Sequence, residues 1–539
     1  MSRRLIAAAV LALCAHQSCA ATEQEAKAAY QAKQYPRAAA LYVALFEAEH
    51  DALALYNAAC SYALAGDSAQ AFATLERMVA AGYLDAKTVA NDSDFASIKA
   101  DPRWQPLLER MKAAQAREAR LFDSPALATP YAENISDDEK IAGLSKFWSE
   151  VKYNFVYTDT LKEIDWDRLY LDYLPKVRAT GSTAEYYRVL MELCARLQDG
   201  HTNVVPPEQA LALLAARPLL RTRLAEDRVF VETVFGADLE AQGLKPGLEI
   251  VSVDGVPTAQ YRERALAPYV SASTPQDRAM RTGVYAFLSG PVGVPVRVGL
   301  ADGNGKRFEL SLPRVGMAEW NRARPPVPAF ELRMLPGNVA YVALNGFDTR
   351  KTADDYLQAW PQISQASALV LDLRRNGGGS SDVGFRVLAT LTDKPFPIST
   401  WSSREYVPTY RAWGRPLKMT NSGARTWQPD LAHQFTGPVV VLTSGGTYSA
   451  AEDFALSFDE MRRGPIVGEA TGGSTGQPLF FALPGGGRAR VCTKADTYTD
   501  GRRFVGVGIQ PKVAARQSVA DLHAGRDTVL ETALMQIKK

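Results

Sequence analysis

The sequence predicts a multidomain α+β chain, helical at its N-terminus, rich in short strands in its middle and alternating between strands and helices toward its end. Three observations carry this. The chain has 539 residues, whereas single cores serve about 100 to 200, so about three or four units are expected. The spacing of apolar residues changes from helical to strand-like near Pro218. From about Gly337 onward strands and helices alternate, as parallel βαβ units require.

The first 20 residues place Arg3-Arg4 before the apolar run Leu5 to Leu13 and the small-residue end Ser18-Cys19-Ala20. That order is expected of a secretory signal peptide over 1–20, cleaved after Ala20, and hence of a secreted or periplasmic protein. No later run approaches the roughly 20 apolar residues of a spanning helix, so no integral membrane segment is expected. The net charge of +2 arises from 61 basic and 59 acidic residues without long runs of either sign, which argues against nucleic acid as a partner. Cys60, Cys194 and Cys492 are too few and too scattered for a disulfide framework, and are expected as buried small hydrophobes.

Residues 21–122 are alanine-rich with apolar positions at helical spacing, as in Ala38, Ala39, Tyr42, Leu45 and Phe46. The run Tyr56 to Asp67 ends in Gly66-Asp67 and is followed by Ala69, Ala71 and Leu75. It resembles a tetratricopeptide helix pair, at most one and a half repeats, fewer than the three or so of a self-standing array. A plain helical spacer has equal weight. A protein partner at these helices is a further expectation. A linker carrying Pro125 and Pro130 leads to a second helical bundle over 135–215, whose last helix stops at Asp199-Gly200 so that His201 opens a turn.

Over 218–313 short strands alternate with turn glycines. Gly243-Leu244-Lys245-Pro246-Gly247 and Glu249 to Val256 resemble a PDZ domain, which implies an open sheet edge that accepts an extended peptide. The segment 325–516 is expected as the α/β unit. Strands are expected at Asn338–Leu344, Ala368–Leu373, Pro438–Leu442 and Ile466–Gly468, with helices at Asp354–Ser364, Asp382–Leu391 and Ala450–Arg463. Residues 517–539 should end in a helix.

The strand ending at Leu442 leads through Thr443-Ser444-Gly445-Gly446-Thr447-Tyr448 to Ser449-Ala450-Ala451-Glu452. Taken alone, Ser-Ala-Ala-Glu is a capping box. A serine at a strand-to-helix turn also stands where a helix N-terminus favours developing negative charge. The run Thr447 to Glu452 resembles the nucleophile motif of the tail-specific (C-terminal-processing) and tricorn-type serine peptidases. That resemblance implies ClpP/crotonase-like βαβ units, Ser449 as the nucleophile, a peptide substrate and no metal or cofactor. The family's glycine loop corresponds to Leu371-Asp372-Leu373-Arg374-Arg375-Asn376-Gly377-Gly378-Gly379. The oxyanion hole is then expected at the N–H groups of Gly377 or Gly378 and of Ala450. A phosphate-binding loop is the competing reading, but its Gly-Lys-Ser/Thr ending is missing.

A serine needs a base. Tail-specific members place a lysine about 25 residues after the serine, yet no lysine occurs between Met419 and Thr493. Lys494 is the nearest substitute. Among the histidines, His16 lies in the leader, His50 in the N-terminal helices, His433 before the nucleophile strand and His523 near the final helix. Leu197-Gln198-Asp199-Gly200-His201-Thr202 resembles the tricorn-type histidine motif, so His201 is the expected base. The acid of the triad is sought near Gly506-Val507-Gly508-Ile509-Gln510-Pro511, where Val505 stands at the expected position. Asp500 is the choice, with Asp496 and Glu469 as alternatives. Tyr448, Ser474 and Gln477 are expected to line the substrate groove. The rival reading is a non-catalytic peptide- or lipid-binding protein on the same fold, and a scaffold built on the N-terminal helices is a third.

Overall fold

The computed structural model describes residues 22–538 and divides the chain into two compact units, meeting at Pro125 and Ala126. The expected signal peptide lies outside the described residues. In the first unit each helix packs on the next, from Glu23–Gln31 through Tyr35–Glu49 and Ala52–Leu64 to Ser68–Ala80. Asp51 and Asp67 cap their helices with side-chain oxygens on the N–H groups of Leu53 and Gln70. The core of this unit gathers Leu55, Phe72, Leu75, Met78, Phe95, Trp104 and Leu107.

The second unit holds the remaining segments together. The central sheet runs in the order Val513–Ala514, Ile466–Gly468, Val439–Thr443, Ala368–Asp372, Val339–Leu344 and Phe330–Leu335. All neighbours are parallel except the last pair. Its strands are apolar because both faces are buried. Ala340, Val342, Leu344, Leu369 and Val441 pack on the crossover helices Ser381–Leu388 and Ala450–Met461. Val339, Tyr341, Val370, Val440 and Leu442 face the other way, onto Val529 and Ala533 of the final helix Thr528–Ile537. Since sequence neighbours are also sheet neighbours, the loops after Asp372 and Thr443 emerge side by side at the carboxyl ends of their strands.

The expected α/β elements recur with small shifts at their ends, and Pro361 divides the expected 354–364 helix into Lys351–Gln358 and Trp360–Ile363. Unforeseen are the strand Phe330–Leu335 and an excursion of short strands over residues 396–427. The middle segment forms an antiparallel sheet ordered Leu220–Ala225, Arg228–Val234, Glu249–Val253, Val296–Ala301 and Arg307–Leu312. Leu220–Ala225 is an open edge. The helical bundle of residues 137–195 shares its core with a distant hairpin, as Phe147, Phe155, Tyr186 and Leu190 pack with Phe481, Leu483 and Val491. The strand Asn203–Val205 completes the junction by pairing antiparallel with Arg488–Cys492. Cys60, Cys194 and Cys492 are buried free thiols. Among the described residues no helix is long and apolar enough to cross a membrane.

Candidate active site

Ser449 sits between the strand Val439–Thr443 and the helix Ala450–Met461, with φ +57° and ψ −124°. A non-glycine residue rarely holds this conformation, and the surrounding loops over-determine it. Thr447 donates its hydroxyl to the Leu373 carbonyl at 2.9 Å, Ser444 donates to Arg374 O at 2.7 Å, and the Tyr448 N–H bonds Asn376 O at 3.0 Å. The glycine loop and the nucleophile loop are thereby laced together. A Cβ on Gly378 would stand 2.6 Å from the Ser449 Cβ, so only glycine permits this approach. The Glu452 carboxylate reaches back to the Ser449 N–H at 3.2 Å, as a capping box requires. The Ser449 hydroxyl, however, meets the His201 imidazole, with Oγ 3.1 Å from Nε2.

His201 is 4 % exposed. Burial, with the cations of Arg490, Arg281 and Lys494 nearby, lowers its pKa to about 3. The ring is therefore neutral and can accept a proton. Its Nδ1 lies 2.8 Å from the Ser474 Oγ. With the Nδ1–H donated to the Ser474 Oγ, the Nε2 lone pair faces the Ser449 hydroxyl. Tyr448 stacks on the imidazole with ring centroids 5.1 Å apart and planes within 4°. Its phenol accepts from the Arg281 guanidinium at 3.0 Å, and Arg281 is held by Asp277 at 2.8 Å. Gly200 admits this arrangement, because a Cβ there would lie 2.0 Å from the Tyr448 hydroxyl. Arg490 donates to Asn203 Oδ1 at 2.6 Å, two residues beyond His201.

Behind Ser474 lies Glu452, fully buried. Its carboxylate accepts from Thr471 Oγ1 at 2.5 Å and from the N–H groups of Gly473 at 2.7 Å and Ser474 at 2.8 Å. Burial raises its pKa to about 8 against these donors, which favour the ionised form.

Several expectations are corrected. Asp500 does not reach the histidine: it is exposed and bonded to the Arg502 guanidinium at 2.7 Å. Its tight turn Tyr498 to Gly501 points the carboxylate to solvent. Glu469 faces Arg516 at 3.5 Å, and Asp496 lies beside Lys494 at 3.0 Å. The place of the acid on Nδ1 belongs to Ser474, which is buried and does not line a groove. It stands in the stretch where a lysine was sought. Tyr448 supports the imidazole ring, whereas Gln477 is exposed at a cavity bordered by Ser449 and Ala450. The Gly378 N–H is donated to Asn376 Oδ1 at 2.9 Å. Gly377 and Ala450 are the other two amides expected at the oxyanion. His433 pairs with Asp430 at 2.8 Å, His50 lies in the first unit, and His523 packs on Phe230. Arg281, Arg490, Asp277, Asn376 and Glu452 escaped sequence reasoning. Only Glu452 carried a signal, as the fourth residue of the capping pattern.

A serine hydroxyl on a neutral imidazole, set at a strand-to-helix turn with helix amides beside it, is the arrangement of a serine hydrolase. Residues 338–515 match Peptidase family S41, residues 224–298 the N-terminal domain of a Bacteroidetes S41 peptidase, and residues 143–195 the Tricorn protease C1 domain. The segment 338–515, which carries Ser449, is thus similar to peptidase family S41. It is 26% identical to a carboxy-terminal-processing protease of Bartonella bacilliformis over 36% of this chain and 42% of that protein. It is 26% identical to the chloroplastic C-terminal processing peptidase of Tetradesmus obliquus over 57% of this chain and 63% of that one. The chain thus spans less than two thirds of either. A carboxyl-terminal-processing protease of Synechocystis is 24% identical over 75% of this chain and 88% of its own. The solved structure of mature CPAF complexed with lactacystin is similar in fold, with TM-score 0.60 and 14% identity over 75% of this chain and 98% of that one.

Proposed function

We propose that this protein is a secreted or periplasmic serine endopeptidase that cleaves peptides or unfolded protein tails by Ser-His acyl transfer. The observation that carries the reading is the Ser449 Oγ held 3.1 Å from a buried, neutral His201. His201 Nε2 takes the hydroxyl proton as Oγ attacks the scissile carbonyl. The Ala450 and Gly377 amides hold the oxyanion, where the helix N-terminus adds its field. Ser474, in place of the acid, receives the Nδ1 proton in a hydrogen bond and keeps the ring oriented while it is cationic. His201 then gives the proton to the leaving amine, and water releases the acyl group by the same steps in reverse.

The segment 218–313 is read as a PDZ-like peptide-binding module and the first unit as a tetratricopeptide-like partner site. The open strand Leu220–Ala225 supports the former. It borders a cavity of about 1070 Å³ that also touches Ser444 and Gly445 of the nucleophile loop. A peptide added to this edge runs toward the loop that carries Ser449.

An alkyl fluorophosphonate tests the reading. It is expected to label the wild type and not Ser449→Ala, and His201→Ala should slow labelling by about 10²- to 10⁴-fold. A folded wild-type protein that resists the probe would refute the nucleophile.

A further inference from the structure

Beside Ser449 lies a cavity of about 270 Å³ that the acyl-transfer chemistry does not use. Its wall includes Ser449, Ala450, Asp453, Thr475, Lys494 and Asp496, with Phe385 as its one large apolar side chain. Asp496 is 2 % exposed, and neither of its carboxylate oxygens has a hydrogen-bond partner. The Lys494 ammonium approaches Oδ1 to 3.0 Å as an ion pair, but not in hydrogen-bond geometry. The Thr475 hydroxyl is equally buried and unpartnered. Asp453 differs, for the hydroxyls of Ser381 and Ser399 donate to it at 2.5 and 2.9 Å.

Resting on the serine-peptidase reading above, we propose that this cavity receives the side chain on the acyl side of the scissile bond and selects a cation there, lysine or arginine. The carboxylates of Asp382, Asp453 and Asp496 outnumber the cations of Lys494 and Arg425 in its wall. A buried carboxylate with one ion pair and no hydrogen bond is incompletely satisfied, and an ammonium or guanidinium supplies charge-assisted bonds that an apolar side chain cannot. A site built this way rejects ligands that leave its polar groups unpaired. A metal ion does not suit it. Among the described residues only Cys60, Asp92 and Asp94 bring three ligating atoms within 4.8 Å of one another. The cavity shares its wall with Ser449 and with Ala450, whose amide is assigned to the oxyanion, so it adjoins the carbonyl of the residue being acylated. Burial and the neighbouring Asp496 raise the Asp453 pKa to about 6, which leaves the Asp453 carboxylate largely ionised at neutral pH.

The test is a panel of internally quenched peptides differing only at the residue before the scissile bond, assayed on the full chain alongside fluorophosphonate labelling. Arginine and lysine are expected to exceed leucine in kcat/KM by at least about tenfold, and Asp496→Asn should reduce that ratio by about ten- to a hundredfold. Labelling with an equal or greater preference for leucine overturns the proposal and leaves the hydrolase reading intact. So does a preference for cations only after the scissile bond. Failure of both labelling and cleavage overturns the two together. Should Asp496→Asn not fold, wild-type inhibition by peptide aldehydes decides: argininal is expected to bind at least about tenfold tighter than leucinal, and the reverse order refutes the site.

Discussion

His201 is positioned by a hydroxyl where a carboxylate was expected, and this has consequences that can be measured. Ser474 Oγ holds Nδ1 at 2.8 Å, and its loss removes one hydrogen bond, about 1 to 1.5 kcal/mol. We expect Ser474→Ala to lower kcat about tenfold while KM holds, and Ser474→Thr to recover most of it. A variant whose KM rises while kcat holds would place Ser474 on the substrate side after all. Glu452 yields a second prediction. Its pKa rises from an ordinary 4.5 to about 8 because burial disfavours the charged form. The unfolded chain loses that proton more readily, so this contribution to stability is full below about 4.5 and declines as pH rises through about 8. Thermal unfolding followed from acid to alkaline pH should show the decline, and Glu452→Gln should flatten it. A curve unaltered by Glu452→Gln would mean that the four donors outweigh burial.

The elements that carry these residues are short, and their joints matter more than their lengths. The turn Asp199-Gly200-His201 ends a helix of the bundle and begins the strand Asn203–Val205, so His201 is fixed from both sides. Gly200→Ala puts a methyl group 2.0 Å from the Tyr448 hydroxyl and 2.8 Å from the Asp277 carboxylate. Either Tyr448 leaves the imidazole face or the turn moves, at a cost of about 1 to 3 kcal/mol. The expected result is a lower melting temperature and a loss of labelling larger than the stability change explains. Wild-type labelling in Gly200→Ala would show that the stack is dispensable. The strands and helices themselves were legible in the sequence, because their apolar runs and glycine turns are local. The nucleophile motif shares this property, being a continuous stretch whose chemistry follows from its own turn. Ser474 was misread because its direction is set by neighbours far from it in the chain. Arg281 went unnoticed because nothing local distinguishes it from other arginines.

At the scale of the molecule, the second unit depends on its last helix. Val529 and Ala533 cover a sheet face that includes Val339, Tyr341, Val370, Val440 and Leu442. Arg374, at the end of the Ala368–Asp372 strand, clamps Asp527 at the start of that helix with two contacts of 2.8 Å. Each large side chain uncovered forfeits about 1.5 to 3 kcal/mol, and several together reach the 5 to 15 kcal/mol of a whole domain. Truncation after Arg526 is therefore expected to yield protein without cooperative unfolding by circular dichroism. A sharp transition near that of the full chain would contradict this account of the sheet's second face.

By itself the sequence determined the order of the helical, strand-rich and alternating segments, the serine at a helix start and the histidine in a glycine turn. Such features depend on contacts within a few residues, which periodicity and turn chemistry record. Only the tertiary structure decided that Ser449 and His201 meet and that Ser474 takes the place sought for Asp500. Those contacts join residues up to 273 positions apart. They are set by how buried faces pack together, and no spacing along the chain encodes that packing on its own.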